Sequence, residues 1–152
     1  MPRSKRWSSG AQAGSASLEF ITAGLILLVP LVYLVLALSA LQGGALAVEG
    51  AARQAARVYV QSPDAFTASA RAHRAVAFAL EDYGLDPNDA EVRIECGGGA
   101  SHCLTRQGLV TVTVRIGIIL PLVPDLLALN QGASVPMTAA STQIVSRFGG
   151  IG

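Results

Sequence analysis

The chain has 152 residues, of which 51% are apolar and only 14% charged, with a formal net charge of +1. That length fits one domain, and the near-neutral balance leaves no basic patch large enough to neutralise many phosphates, which argues against a nucleic-acid partner. So large an apolar share with so little charge argues against disorder and for a membrane-anchored chain.

Residues 1–14 are hydrophilic, carry Arg3, Lys5 and Arg6, and contain no acid. They read as the basic flank of a targeting segment. From Gly14 to Val48 the only charge is Glu19, and the next one is Glu49. This run exceeds the roughly 20 apolar residues with which a helix crosses a bilayer core. The positive-inside rule places the N-terminus in the cytoplasm and the remainder of the chain outside it, as a single-pass protein. Arg53 and Arg57 lie on the far side, but Glu49 is spaced to pair with Arg53 at i,i+4 and reduces their pull. Pro30 falls within the span, where a kink is tolerated if neighbouring groups satisfy the freed backbone.

A secretory signal places its small-residue cleavage site after the apolar region. Here Ala11, Ala13 and Gly14 precede it, so cleavage at that point removes the leader and keeps the helix. Gly14-Ser15 followed by Glu19-Phe20 resembles the class III signal of type IV prepilins, especially the Flp and TadE-like pilins of tight-adherence (Tad) pili. The resemblance implies a minor pilin or pseudopilin that acts in pilus assembly, initiation or adhesion. It further implies a prepilin peptidase that cuts between Gly14 and Ser15, with Glu19 fifth in the mature chain. Other pilins and an inner-membrane assembly platform are the implied partners.

The chemistry is consistent with that expectation. Freed by cleavage, the Ser15 amine is a cation at a helix N-terminus, and Glu19 lies one turn later. An acid there complements the helix dipole by about 0.3–1 kcal/mol. At the centre of a bilayer an acid costs on the order of 3 kcal/mol, which the amine of a neighbouring subunit offsets by a charge-assisted contact. The plainer alternative is that Glu19 marks the membrane boundary.

Ser39, Gly43, Ala47, Ala51 and Ala55 recur every four residues, beside a second row of Ala40, Gly44, Ala52 and Ala56 interrupted by Val48. This is the small-xxx-small spacing by which membrane helices approach closely, though an alanine-rich helix also produces such rows by composition. High helix propensity over 45–60 predicts a stalk continuing beyond the membrane.

Ser62-Pro63-Asp64 reads as an N-cap, a first-turn proline and a first-turn acid. A second, amphipathic helix is expected to follow, with Phe66, Ala70, His73, Val76, Ala77, Leu80 and Tyr83 as its apolar stripe and an end near Gly84. Val92, Ile94 and Cys96 alternate with Glu91, Arg93 and Glu95, and Val110, Val112, Val114 and Ile116 with Thr111, Thr113 and Arg115. Each alternation predicts a half-buried strand, and residues 135–147 predict a less regular third with Val135, Met137 and Ala139 on one face. Leu120 to Leu127 is too short and too proline-broken to cross a membrane; it is a contact surface or tucks under the helix as core. The expected fold is α+β: a long N-terminal transmembrane and stalk helix, then a second helix packed on a small, mainly antiparallel three-stranded sheet. The expected division is a leader over 1–14, helix and stalk over 15–61, and an extracytoplasmic head over 62–152.

Cys96 and Cys103 flank a glycine-rich loop that lets the sulfurs meet. In an exported domain they suit a disulfide worth about 2.5 kcal/mol by chain entropy. A metal reading through Cys96, His102 and Cys103 lacks a fourth ligand, and free thiols are the third possibility. Asp82, Asp86, Asn88 and Asp89 cluster oxygen ligands without EF-hand spacing, and Asp86-Pro87-Asn88-Asp89 is turn chemistry. No nucleophile elbow, HExxH or Walker sequence is present, so neither catalysis, a cofactor nor a small-molecule substrate is expected. Two rivals stand beside the pilin reading. One is a single-pass anchored extracytoplasmic binding domain with no filament role. The other is a membrane-bound enzyme accessory or hydrolase, which requires a polar pocket built from His73, His102 and nearby acids.

Overall fold

The computed structural model describes residues 13–97, 103–121 and 134–148. Helix α1 spans Ala13–Val60 and α2 Ala65–Glu81; a 3-10 turn at Pro87–Asp89 leads into strands β1 (Glu91–Cys96), β2 (Leu109–Ile119) and β3 (Ser134–Ile144). The architecture is α+β, as expected. The chain divides into two units after Ala37.

In the first unit α1 is apolar on every side. Leu18, Phe20, Ile21, Leu25, Leu27 and Leu31 are all exposed, and no polar stripe separates them. Helices that are apolar all round belong in an apolar medium. This part of α1 is long and apolar enough to cross a membrane. Pro30 lies inside the helix, which continues through it.

The second unit begins at Leu38 and is a sheet covered on one face by helices. Its strands run in the order β1-β2-β3, antiparallel throughout. The alternation in β2 sends Val110, Val112, Val114, Ile116 and Ile118 into the core and Thr111, Thr113 and Arg115 to the other face. Val92 and Ile94 of β1 and Met137 and Ala139 of β3 border the same core. On the outer face Thr111 and Thr142 stand opposite each other, and their hydroxyls hydrogen-bond at 2.8 Å.

The covering layer combines the end of α1 with α2. Ala47, Val48, Ala51, Ala52, Ala55, Ala56 and Tyr59 of α1 are buried, as are Ala68, Ala72, Val76 and Leu80 of α2. The stalk expected over residues 45–60 is helical, and its inward face belongs to the core while Leu46, Glu49, Arg53 and Arg57 stay exposed. The buried row of α2 also differs from the expected stripe: Phe66, Ala70 and His73 are exposed, and the row runs strictly every fourth residue from Ala68 to Leu80. The expected Val76 and Leu80 are buried, while the first half of the helix turns Ala68 and Ala72 inward in place of Phe66, Ala70 and His73.

Between the helices the chain needs only Gln61 to Asp64, and both ends are capped by side chains. Ser62 Oγ donates to the Val58 carbonyl at 2.8 Å, closing α1. The N-cap of α2 is Asp64, two residues later than expected, and its carboxylate accepts from the Thr67 amide and hydroxyl, each at 2.8 Å. Helix α2 ends at Glu81, near the expected Gly84, whose φ of +70° is open to glycine at little cost. The Leu85 amide then reaches back to the Leu80 carbonyl at 3.0 Å, the long bond of a Schellman end.

Candidate functional site

The residues that matter for a helix-mediated function lie along α1. In the uncut chain α1 starts at Ala13, so Gly14 and Ser15 are already helical and Glu19 falls in the second turn. Glu19 and Phe20 are exposed, and no cation among the described residues lies within ion-pair range of the Glu19 carboxylate. An acid at the edge of an otherwise lipophilic rod calls for either water or a cation beside it. The basic leader over residues 1–12 lies outside the described residues.

Further along, the small-residue rows meet their neighbours within the chain. Ser39 remains exposed, and Gly43 sits 3.9 Å, from where a Cβ would stand, to Tyr83 Cδ1. Gly44 is tighter: a Cβ there would come within 2.6 Å of Ile118 Cγ1 and Cδ1, so glycine permits β2 to cross close to the helix. Ala47, Ala51 and Ala55 are fully buried. Below Ser39, therefore, the surface expected to receive another membrane helix is occupied by this chain's own strand and second helix. The Glu49–Arg53 pair forms as spaced, at 3.2 Å and exposed, so it contributes little to stability.

In the head, Cys96 and Cys103 are joined by a disulfide across a Cα–Cα distance of 4.8 Å. The bond ties the end of β1 to Leu104, which is buried in the core. His102 lies outside the described residues, as does the apolar segment from Leu122 onward. Asp86 accepts from the Asn88 amide at 2.9 Å and from its side-chain nitrogen at 2.8 Å, a turn closed on itself. Among the described residues no three His, Cys, Asp or Glu side chains converge as a metal site would require.

A groove of about 580 Å³ runs between α1 and α2, lined by Gln54, Val58, Arg71, Arg74, Phe78 and Asp82 among others. Its polar groups are two guanidiniums, two carboxamides and one carboxylate; His73 does not line it, so it is not the pocket the hydrolase reading requires. Sequence reasoning passed over this groove because Phe78 belongs to no stripe. The signal was the run of Ala68, Ala72, Val76 and Leu80, which turns Phe78 outward beside the helix contact.

Among the described residues, two groups have titration altered by their surroundings. Hydrogen bonds from the Thr67 amide and hydroxyl hold the Asp64 carboxyl below its usual range. Burial raises the Tyr59 phenol above its usual value. The Asp64 interaction is that of a helix N-cap, with both Thr67 bonds made inside the first turn of α2. Comparison of the chain with protein-family models, with curated proteins and with solved structures gave no match.

Proposed function

We propose that this chain is a TadE-like minor pilin or pseudopilin of a Tad-type pilus. It inserts with its N-terminus in the cytoplasm, is cut between Gly14 and Ser15, and joins the pilus assembly through the exposed part of α1. In this reading the role is structural, and no reaction is assigned to the chain. The observation that carries it is the Gly14-Ser15…Glu19-Phe20 motif at the mouth of a helix that is apolar on all sides. Cleavage places Glu19 one turn from a new amine, and the amine of an adjacent subunit supplies the cation that Glu19 lacks among the described residues. Partner helices meet the chain between Ser15 and Ser39, since the rows beyond are covered.

Mass spectrometry of the mature N-terminus tests this. Co-expressed with a Tad prepilin peptidase, the chain should begin at Ser15. Gly14→Leu should abolish processing, and Glu19→Ala should be processed yet fail to enter filaments. An uncut chain, or a different mature start, overturns the reading. The alternative is a single-pass anchored binding domain, favoured by the groove between α1 and α2; it predicts an uncut N-terminus and no co-isolation with filaments.

A further inference from the structure

We propose that the β3 edge of the head pairs with the same edge of a second copy of this chain, antiparallel and about a two-fold axis. The pairing involves the head alone and requires neither cleavage at Gly14 nor insertion of α1. The sheet has two unlike edges, β1 on one side and β3 on the other. The β1 edge is 6 residues long and carries Glu91, Arg93 and Glu95. The β3 edge runs for 11 residues, Ser134–Ile144, without a charge. Charges and short strands are what keep an edge from recruiting another strand, so β1 is guarded and β3 is open.

The backbone bonds at the end of β3 fix which of its groups face outward. The Val145 amide donates to the Gly108 carbonyl at 2.9 Å, and the Gln107 amide to the Val145 carbonyl at 3.1 Å. Val145 therefore faces β2, and the two-residue repeat turns Met137, Ala139, Ser141 and Gln143 the same way. The hydroxyl contact between Thr111 and Thr142 agrees, because side chains stand closest in pairs that exchange no backbone bonds. The amides and carbonyls of Thr138, Ala140, Thr142 and Ile144 thus point away from β2, and no strand among the described residues lies beyond them. Pro136 shares that side, where its missing N–H costs the β2 ladder nothing.

This edge matches itself. Antiparallel pairing centred on Ser141 sets Thr138 opposite Ile144 and Ala140 opposite Thr142 of the second copy. Every outward group from Thr138 to Ile144 is then bonded on both chains, and Pro136 stays outside the ladder. No charge meets its like. The same operation at β1 would set Arg93 on Arg93 and Glu91 on Glu95, and like charges directly opposite are destabilising. Joining two β3 edges also leaves only the guarded β1 edges exposed, so association closes at two copies.

Amide hydrogen exchange of the full chain in dodecylphosphocholine micelles tests the pairing. In concentrated protein the outward amides of Thr138, Ala140 and Thr142 should be protected alongside the inward ones of Ala139 and Ser141. Dilution by about a hundredfold at constant detergent should speed exchange at the outward amides about tenfold, the square-root law of a dimer, and leave the inward ones unchanged. Mild oxidation should join Ser141→Cys chains into dimers about tenfold faster than Thr138→Cys chains, because Cα atoms at the centre of the pairing stand about 4.5 Å apart, within disulfide reach. Ala140→Pro removes an outward N–H and no bond to β2, so the β2 amides should stay protected while the dilution effect and the Ser141→Cys cross-link are lost. Ala140→Lys, which brings two cations together across the axis, should do the same without altering the backbone. Outward amides that exchange freely at every concentration, or that are protected in a chain of monomeric mass, overturn the proposal. So does cross-linking at Thr138→Cys as fast as at Ser141→Cys. A dimer that persists while its outward amides exchange freely is held through another surface, and overturns it too.

Discussion

Helix α1 is read twice, in two vocabularies. Between Leu18 and Leu38 its surface is leucine, isoleucine, valine and phenylalanine, exposed on all sides; between Gly44 and Tyr59 its inward surface is almost all alanine and glycine, and it is closed. Large side chains suit a partner that deforms, because lipid tails flow around them. Small ones suit a partner that does not, because a strand and a helix reach packing density only if the backbones come close. The change in residue size therefore marks the change from an exposed, all-apolar surface to one packed against protein, without any break in the helix.

The comparison can be broken by removing bulk on either side of it. Leu80→Ala, in the core with α1, should cost the head about 3 kcal/mol in urea unfolding followed by hydrogen exchange of the β2 amides. Leu27→Ala, the same truncation on the exposed half, should leave that exchange unchanged. A loss at Leu27 equal to that at Leu80 would mean that the two halves share one environment.

Adding bulk sharpens the contrast. Gly44→Leu places a side chain where Ile118 already stands and should cost about 2 kcal/mol, by the same exchange measurement. Gly24→Leu should be neutral, since nothing lies within 4 Å of a Cβ there. Combining Gly44→Leu with Ile118→Ala should recover part of the loss, because the two sites share one contact.

The smallest effect belongs to the cap of α2. Hydrogen bonds hold the Asp64 carboxyl below its ordinary value, so its contribution is complete above the unfolded-state pKa and is lost as pH falls through the folded one. Between about pH 5 and 3 the melting temperature of the wild-type head should therefore fall more steeply than that of Asp64→Ala. Parallel curves would show that the cap is not titrating.

Much of this fold was legible because strand alternation is a strong signal. β1 and the centre of β2 fall where Val92 to Cys96 and Val110 to Ile116 place them, and Gly84 ends α2 where a left-handed residue is required. What escaped is instructive. The 3,4 spacing fits a stripe through Phe66, Ala70 and His73 as well as the row from Ala68 to Leu80 that the structure buries, and spacing alone does not separate the two at the start of the helix. The same ambiguity hid the partner of Ala47, Ala51 and Ala55, since small rows specify closeness and leave open what comes close. The two-residue shift of the N-cap from Ser62 to Asp64 arose because Ser62 closes the preceding helix, a role that only the neighbouring end of α1 creates.

That the core borrows Gly44 to Tyr59 decides where the protein can be shortened. A water-soluble fragment should start near Leu41, ahead of the glycine pair, and keep the alanines that roof β2. One that starts at Ser62, just ahead of the second helix, would strip the central valines of half their lid and is expected to aggregate.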